Sequence, residues 1–310
     1  MRSPVLRLPA LVGTAAVALT AVAACDSGSV SDADVSAVAA FYPLQFVTEW
    51  VGGDHVEVKN LTAPGAEPHD LELEPRQVAD ITDADLVVYL SGFQPAVDES
   101  ISQQATRTAL NVADATELRH GESHDHDHGE DHDHGGVDPH VWLDPIKLAD
   151  IADAVADRLT RIDPEHADDY TANVATLTDE LTAVDEEYAA GLEQCRSRDI
   201  VTSHAAFGYL ADRYDLAQVS VAGLTPDTEP TSEAIRQVSD YVTEHEVTTV
   251  FYETLVDPGV AETIAAETGA TTAVLDPIEG LSADSREDYL SVMRSNLLTM
   301  EEALGCRSQS

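Results

Sequence analysis

One long uninterrupted helix constrains the fold of this chain more than any other feature. After Pro164, neither glycine nor proline occurs until Gly191. Apolar side chains recur between them at spacings of three and four residues, as they do on one face of a helix. They are Tyr170, Val174, Leu177, Leu181, Val184 and Tyr188. Asp163 and Pro164 favour a helix start. The pattern predicts a helix over residues 163–194 in a linking segment 163–195, roughly 45 Å long at 1.5 Å per residue.

Short apolar runs alternate with helical segments on both sides of this helix. Strands are predicted at 37–41, 55–61, 86–90 and 109–112, and then at 200–203, 218–221, 248–252 and 271–275. Runs such as Leu86 to Leu90 are apolar at consecutive positions, which is typical of parallel strands covered on both faces. We therefore predict an α/β fold with two Rossmann-like lobes, residues 36–162 and 196–310. One long rigid helix would join them and limit hinge motion.

The N-terminal residues indicate export. Two arginines precede an apolar stretch from Leu8 to Ala24, which is the arrangement of a signal peptide. Val22 to Cys25 resembles the lipobox at which bacterial lipoproteins are cleaved and acylated. We predict a signal peptide over 1–24, a lipid anchor at Cys25 and a flexible tether over 25–35. The protein would then lie on the extracytoplasmic face of the cell membrane. An ordinary signal peptide with a chance cysteine is the alternative.

The other two cysteines form an even pair. With Cys25 assigned to lipid, Cys195 and Cys306 remain in a compartment that permits disulfides. We predict a bridge between them, which would tie the C-terminus to the start of the second half. Two unpaired thiols are the alternative.

The charge of the chain restricts its ligands. The formal net charge is −42, and such a field repels nucleic acid and anionic lipid headgroups while it attracts cations. Nucleic-acid binding is therefore excluded. The acidity does not identify a ligand, because adaptation to solubility or salt explains it equally well.

Four side chains are candidates for a metal site. His69, His140 and His204 each lie in a predicted loop or strand end, and Asp276 follows the last predicted strand. Ligands of open α/β sheets gather at the carboxyl ends of strands. Taken singly, each histidine is better explained as a satisfied polar residue at a helix start.

Three motifs in fixed order make the pattern specific. They are Pro64 to Asp70, Asp138 to Pro145 and Ser203 to Leu210, followed by Leu275-Asp276-Pro277. Across nearly all of the mature chain they resemble the zinc- and manganese-binding proteins of ABC importers, the cluster A-I family. The resemblance implies that His69, His140, His204 and Asp276 coordinate a metal between two lobes. It also implies delivery of the metal to a permease and its ATPase.

The donor set favours zinc. Neutral imidazoles with one carboxylate suit Zn²⁺. In family members of the manganese-selective type, the residue that matches the third histidine is usually glutamate, whereas this chain has His204. We predict Zn²⁺ as the transported ligand, with Mn²⁺ as the alternative.

A histidine-rich segment lies between the first two motifs. Residues 120–136 interleave six histidines with acidic residues and glycine. They are His120, His124, His126, His128, His132 and His134. Such a low-complexity segment attracts metal and cannot form a core, and similar loops are common in zinc-specific relatives. We predict that it captures zinc weakly near the site entrance or senses excess. A solvated insertion that binds metal incidentally is the alternative.

Two other functions compete with transport. A zinc hydrolase needs an open coordination position and a general base, and no His-Glu-x-x-His or Gly-x-Ser-x-Gly motif occurs. A surface adhesin that uses metal only for stability is the second alternative. We predict a monomeric solute-binding protein without enzymatic activity.

Overall fold

The computed structural model describes residues 33–120, 136–226 and 230–307. The predicted signal peptide, Cys25 and most of the tether lie outside the described residues. So do five of the six histidines in the histidine-rich segment: His124, His126, His128, His132 and His134. Among the described residues, no helix combines the length and apolar character needed to cross a membrane.

The first half of the chain forms a parallel four-stranded sheet. Its strands are β1 (Val35–Ala39), β2 (Val56–Asn60), β3 (Leu86–Tyr89) and β4 (Ala109–Asn111), in the order β2-β1-β3-β4. The connecting helices are α1 (Tyr42–Gly52), α2 (Pro75–Asp83) and α3 (Pro95–Gln104). The central strands β1 and β3 are buried at nearly every position, as expected for a sheet covered on both faces.

Two helices follow the first sheet, α4 (Pro145–Ile162) and α5 (Ala167–Gly191). The second is the predicted long helix, trimmed at both ends, because a 3₁₀ turn over Pro164–His166 precedes it. All six apolar residues of the predicted stripe are buried. Along this face Asn173 donates a 3.0 Å hydrogen bond to the Val51 carbonyl, and Tyr188 donates a 2.7 Å hydrogen bond to the Met293 carbonyl. The helix therefore contacts elements from both ends of the chain.

The second half repeats the topology of the first. Its strands are β5 (Asp199–Thr202), β6 (Ala217–Ser220), β7 (Thr249–Tyr252) and β8 (Thr271–Val274), in the order β6-β5-β7-β8. Its helices are α6 (Gly208–Tyr214), α7 (Ser232–Glu244), α8 (Gly259–Thr268) and α9 (Tyr289–Leu304). The predicted pair of parallel α/β lobes is confirmed.

The two lobes share more than one helix. A single apolar core extends from the first sheet through α4, α5 and α9 to Phe251 and Leu275 of the second lobe. A smaller core lies between the second sheet, α7 and α8. Trp142 Nε1 donates to the Pro277 carbonyl at 2.7 Å, and the Tyr289 hydroxyl donates to the Trp142 carbonyl at 2.6 Å. The sequence-based view of lobes joined by one helix is therefore incomplete, since buried packing and hydrogen bonds also join them.

The predicted disulfide between Cys195 and Cys306 is confirmed. It links the segment after α5 to the residues that follow α9. The bridge therefore fastens the C-terminal helix beside the long helix.

Candidate metal centre

The three predicted histidines approach one another from separate segments. His69 lies in the loop after β2, His140 immediately precedes a 3₁₀ turn over Val141–Leu143, and His204 lies just after β5. All three are buried, with exposed fractions of 6%, 0% and 0%. The carboxyl ends of two strands thus supply two of the histidines, as parallel-sheet topology favours.

Glu279 completes the group. Its Oε1 atom lies 3.3 Å from Nε2 of His69, 3.2 Å from Nε2 of His140 and 3.3 Å from Nε2 of His204. One potential ligand atom from each of the four residues lies within 4.8 Å of all the others. Three imidazoles and one carboxylate in so small a volume form a donor set suited to a tetrahedral Zn²⁺ ion.

Asp276, which the sequence pattern places in the site, is not in this group of four. Its Oδ2 atom accepts a 2.7 Å hydrogen bond from the Thr254 hydroxyl, and its Oδ1 atom accepts a 2.7 Å hydrogen bond from the Ile278 amide. The Asp276 carboxylate therefore shapes the turn that carries Glu279. The position after β8 indicated the correct loop, but sequence reasoning missed the residue within it that faces the histidines.

The backbone at Ile278 places Glu279. Ile278 is fully buried and has a φ of +58°, a left-handed conformation that a β-branched residue rarely adopts. Such strain persists only where surrounding contacts hold the backbone in place. Here the Asp276 carboxylate accepts from the Ile278 amide, while the Pro277 carbonyl accepts from Trp142.

Two buried carboxylates support two of the histidines. Asp138 Oδ1 lies 2.8 Å from Nδ1 of His140, and Glu253 Oε1 lies 2.6 Å from Nδ1 of His204. Arg119 donates to the other oxygen of Asp138 at 3.0 Å. Carboxylates in these positions fix the tautomer and orientation of each ring and leave Nε2 directed at Glu279.

His69 is held in a different way. Its ring packs edge-on against Phe93, with 4.6 Å between ring centroids. Its backbone amide donates a 3.0 Å hydrogen bond to Oε1 of Glu67. All three histidines are buried, and His69 has the largest exposed fraction, 6%.

The buried charges favour a cation. Burial alone would lower the pKa of His204, but hydrogen bonds with the Glu253 and Glu279 carboxylates outweigh it and raise the pKa to about 10. The same balance, with Asp138 and Glu279 as partners, raises the pKa of His140. Burial would raise the pKa of Glu279, but its three histidine partners hold that pKa well below the usual range. Without metal, a proton on His204 supplies positive charge that a bound ion would replace.

The two ends of the histidine-rich segment meet beside this site. His120 forms an antiparallel bridge with Val137, and the Asp138 amide donates to the Arg119 carbonyl at 3.0 Å. Arg119 and Asp138 also support His140 through the contacts described above. The segment therefore begins one residue after Arg119 and ends two residues before Asp138, whose carboxylate orients His140.

Comparison with known proteins identifies the class. The sequence model of the family described as zinc-uptake complex component A, periplasmic (ZnuA), matches residues 37–303. The chain belongs to this family of substrate-binding components of zinc uptake, and the resemblance predicted from its motifs is confirmed.

Individual relatives agree with this assignment. High-affinity zinc uptake system protein ZnuA of Bacillus subtilis (strain 168) is 34% identical over 303 residues, which cover 93% of this chain and 95% of that protein. Zinc-binding lipoprotein AdcA of Streptococcus pneumoniae serotype 4 is 33% identical over 288 residues, covering 90% of this chain. The chain matches only 58% of the length of AdcA.

Solved structures share the fold. The Zn(II)-bound ZnuA-like domain of Streptococcus pneumoniae AdcA matches with a TM-score of 0.74 and 30% identity, over 87% of this chain and 99% of that domain. The laminin-binding protein Lmb of Streptococcus agalactiae, described as bifunctional with adhesin and metal-transporting activity, matches with a TM-score of 0.77 and 31% identity. That match covers 87% of this chain and 99% of Lmb.

Proposed function

We propose that this protein binds Zn²⁺ through Nε2 of His69, His140 and His204 and through the Glu279 carboxylate, and delivers the ion to an ABC-type importer. The observation that carries the proposal is the convergence of these four buried side chains from both lobes within 4.8 Å. The zinc-uptake family and the zinc-binding relatives support it.

Zinc is favoured over manganese because three of the four donors are imidazole nitrogens. Manganese prefers sites richer in oxygen donors. Four protein ligands also leave no open position for an activated water in a tetrahedral site. We therefore propose a capture site and no catalytic role.

Capture is aided by a site that is largely formed in advance. Asp138 and Glu253 fix two of the imidazole rings before the ion arrives, so little ordering remains to be done on binding. The same two carboxylates offset the positive charge that the ion brings into a buried volume.

Release involves local rearrangement. The shared core and the hydrogen bonds through Trp142 oppose a large hinge motion between the lobes. The His69 loop and the Glu279 loop meet where the Gly65 amide donates a 2.8 Å hydrogen bond to the Leu281 carbonyl. We propose that separation of these two loops opens the site when the protein docks on its permease.

Export and acylation at Cys25 would hold the protein on the outer side of the membrane, close to the permease. The ATPase would act on the permease from the cytoplasmic side. A second role as a surface adhesin is supported by the similarity to Lmb. Protein that lacks zinc binding and still adheres to laminin would establish the adhesin role separately from transport.

The decisive experiment is a competitive titration of Zn²⁺ and Mn²⁺ against a chelator. The protein would begin after Cys25 and lack residues 121–135, so that the histidine-rich segment contributes little. One tight zinc site that His204→Ala destroys and His245→Ala leaves intact is the expected result. Equal or tighter manganese binding would overturn the choice of metal, and no tight site for either ion would overturn the proposal.

A further inference from the structure

A second group of potential metal ligands lies in the first lobe. Asp34, His55 and His166 each offer an atom within 4.8 Å of the other two. Asp34 directly precedes β1, His55 ends the 3₁₀ turn before β2, and His166 ends the 3₁₀ turn before α5. None of the three takes part in the site formed by Glu279 and its histidines.

The two imidazoles are stacked and bordered by carboxylates. Their centroids lie 3.7 Å apart with an interplanar angle of 17°. Nδ1 of His166 lies 2.6 Å from Oδ2 of Asp163 and 3.8 Å from Oδ2 of Asp34, while Nε2 of His55 lies 3.1 Å from Oδ2 of Asp169. Three carboxylates thus surround two ring systems, an arrangement that attracts cations.

A buried tyrosine, Tyr170, contacts two residues of this region, Asp163 and His55. Tyr170 is fully buried, and its hydroxyl donates a 2.8 Å hydrogen bond to Asp163. Its ring also meets that of His55 edge-on at 6.1 Å. In contrast, the His55, His166 and Asp34 side chains are 28%, 27% and 59% exposed. Tyr170 therefore holds Asp163 and one side of the His55 ring in place, while the potential ligands remain accessible from solvent.

We propose that His55, His166 and Asp34 form a second, weaker site for Zn²⁺. Two imidazoles and a carboxylate form a donor set suited to zinc, and Asp163 and Asp169 can accept hydrogen bonds from the ring nitrogens that do not bind metal. One ion cannot lie in the planes of two parallel stacked rings, so at least one ring rotates when the ion binds. Their partial exposure leaves space for that rotation.

A zinc ion bound at this second site would cross-link separate segments of the first lobe. Asp34 lies at the end of the predicted tether, whereas His55 and His166 belong to the first lobe. A bound ion would join the residue before β1 to the beginnings of β2 and α5. This proposal does not depend on the transport function, because it concerns residues outside the proposed transport site.

The test combines location with stoichiometry in the full chain. Crystals soaked in zinc should show an anomalous-scattering peak between Asp34, His55 and His166. In solution, equilibrium dialysis against zinc should show one weakly bound equivalent fewer for His55→Gln/His166→Gln than for the unaltered chain. His245→Gln is the matched control, because His245 also stacks on an aromatic ring, that of Tyr241, and has one carboxylate 3.8 Å away.

Asp34→Asn keeps both imidazole rings and should weaken binding of the same zinc equivalent. This single variant provides an independent test if the double variant misfolds. No anomalous peak would overturn the proposal. A peak in the crystal without loss of an equivalent in either variant would overturn it as well, since it would show binding at crystal concentration only.

Discussion

The Glu253 carboxylate lies 2.6 Å from Nδ1 of His204, while Nε2 of the same ring lies 3.3 Å from Glu279. Both carboxylates are buried, with exposed fractions of 3% and 2%. Nδ1 of His204 is therefore paired with a fixed carboxylate, and Nε2 is left to bind a cation. This arrangement assigns Glu253 a positioning role.

Glu253→Gln should weaken zinc affinity by about 10- to 100-fold, because it removes the charge that orients His204 and makes it more basic. Chelator competition measures the change, and Glu262→Gln on the exposed face of α8 is the control. The variant should also lower the pKa of His204, which a purely structural role would not require. Unchanged affinity and an unchanged pH profile would show that Glu253 does not position the ligand.

Zinc binding should release protons at neutral pH. The pKa of His204 is raised to about 10, so this ring holds a proton at pH 7 that zinc must displace. The pKa of His140 is raised as well. We expect about one proton or more per zinc at pH 7, with less release as the pH rises through the pKa of His204. Affinity should fall as the pH is lowered. Calorimetry in buffers of different ionisation enthalpy measures the release, and heats independent of buffer would contradict it.

Asp276 and Glu279 should differ in their effects. Glu279→Gln removes a proposed ligand, whereas Asp276→Asn weakens the turn that presents it. We expect Glu279→Gln to lower zinc affinity by more than about 100-fold and Asp276→Asn by about 10- to 100-fold, the range for residues that orient ligands. Chelator competition compares the two variants. The reverse order would identify Asp276 as the ligand.

The sequence predicted the three histidines, the two parallel lobes and the disulfide, because each follows from a local motif or a simple count. It did not predict Glu279, because the left-handed backbone at Ile278 decides which side chain of that loop faces inward. An isoleucine gives no signal for such a conformation. The shared core was also missed, since residues such as Tyr289 and Leu275 join the lobes through contacts between distant segments.

Removing the disulfide should destabilise the fold without altering the metal site. Cys195 and Cys306 are 111 residues apart in sequence, so the bridge closes a long loop. Cys195→Ser/Cys306→Ser should lower the free energy of unfolding by about 2–5 kcal/mol, as measured by urea denaturation of zinc-free protein. Zinc affinity under native conditions should remain unchanged. A large loss of affinity would show that α9 must be fastened to hold the Glu279 loop.

Trp142 should couple the stability of the lobes to zinc binding. Its Nε1 donates to the Pro277 carbonyl at 2.7 Å, directly before the strained Ile278 and the proposed ligand Glu279. Trp142→Phe keeps an aromatic ring but removes this donor, which should cost about 1–3 kcal/mol of unfolding free energy because a buried acceptor loses its partner. Zinc affinity should fall as well, since the turn loses one of the hydrogen bonds that hold it. Trp50→Phe, a half-buried tryptophan on α1, is the control. A destabilised Trp142→Phe variant that binds zinc with unchanged affinity would show that the remaining hydrogen bonds of the turn, made by Asp276 and Asn296, are sufficient to hold Glu279 in place.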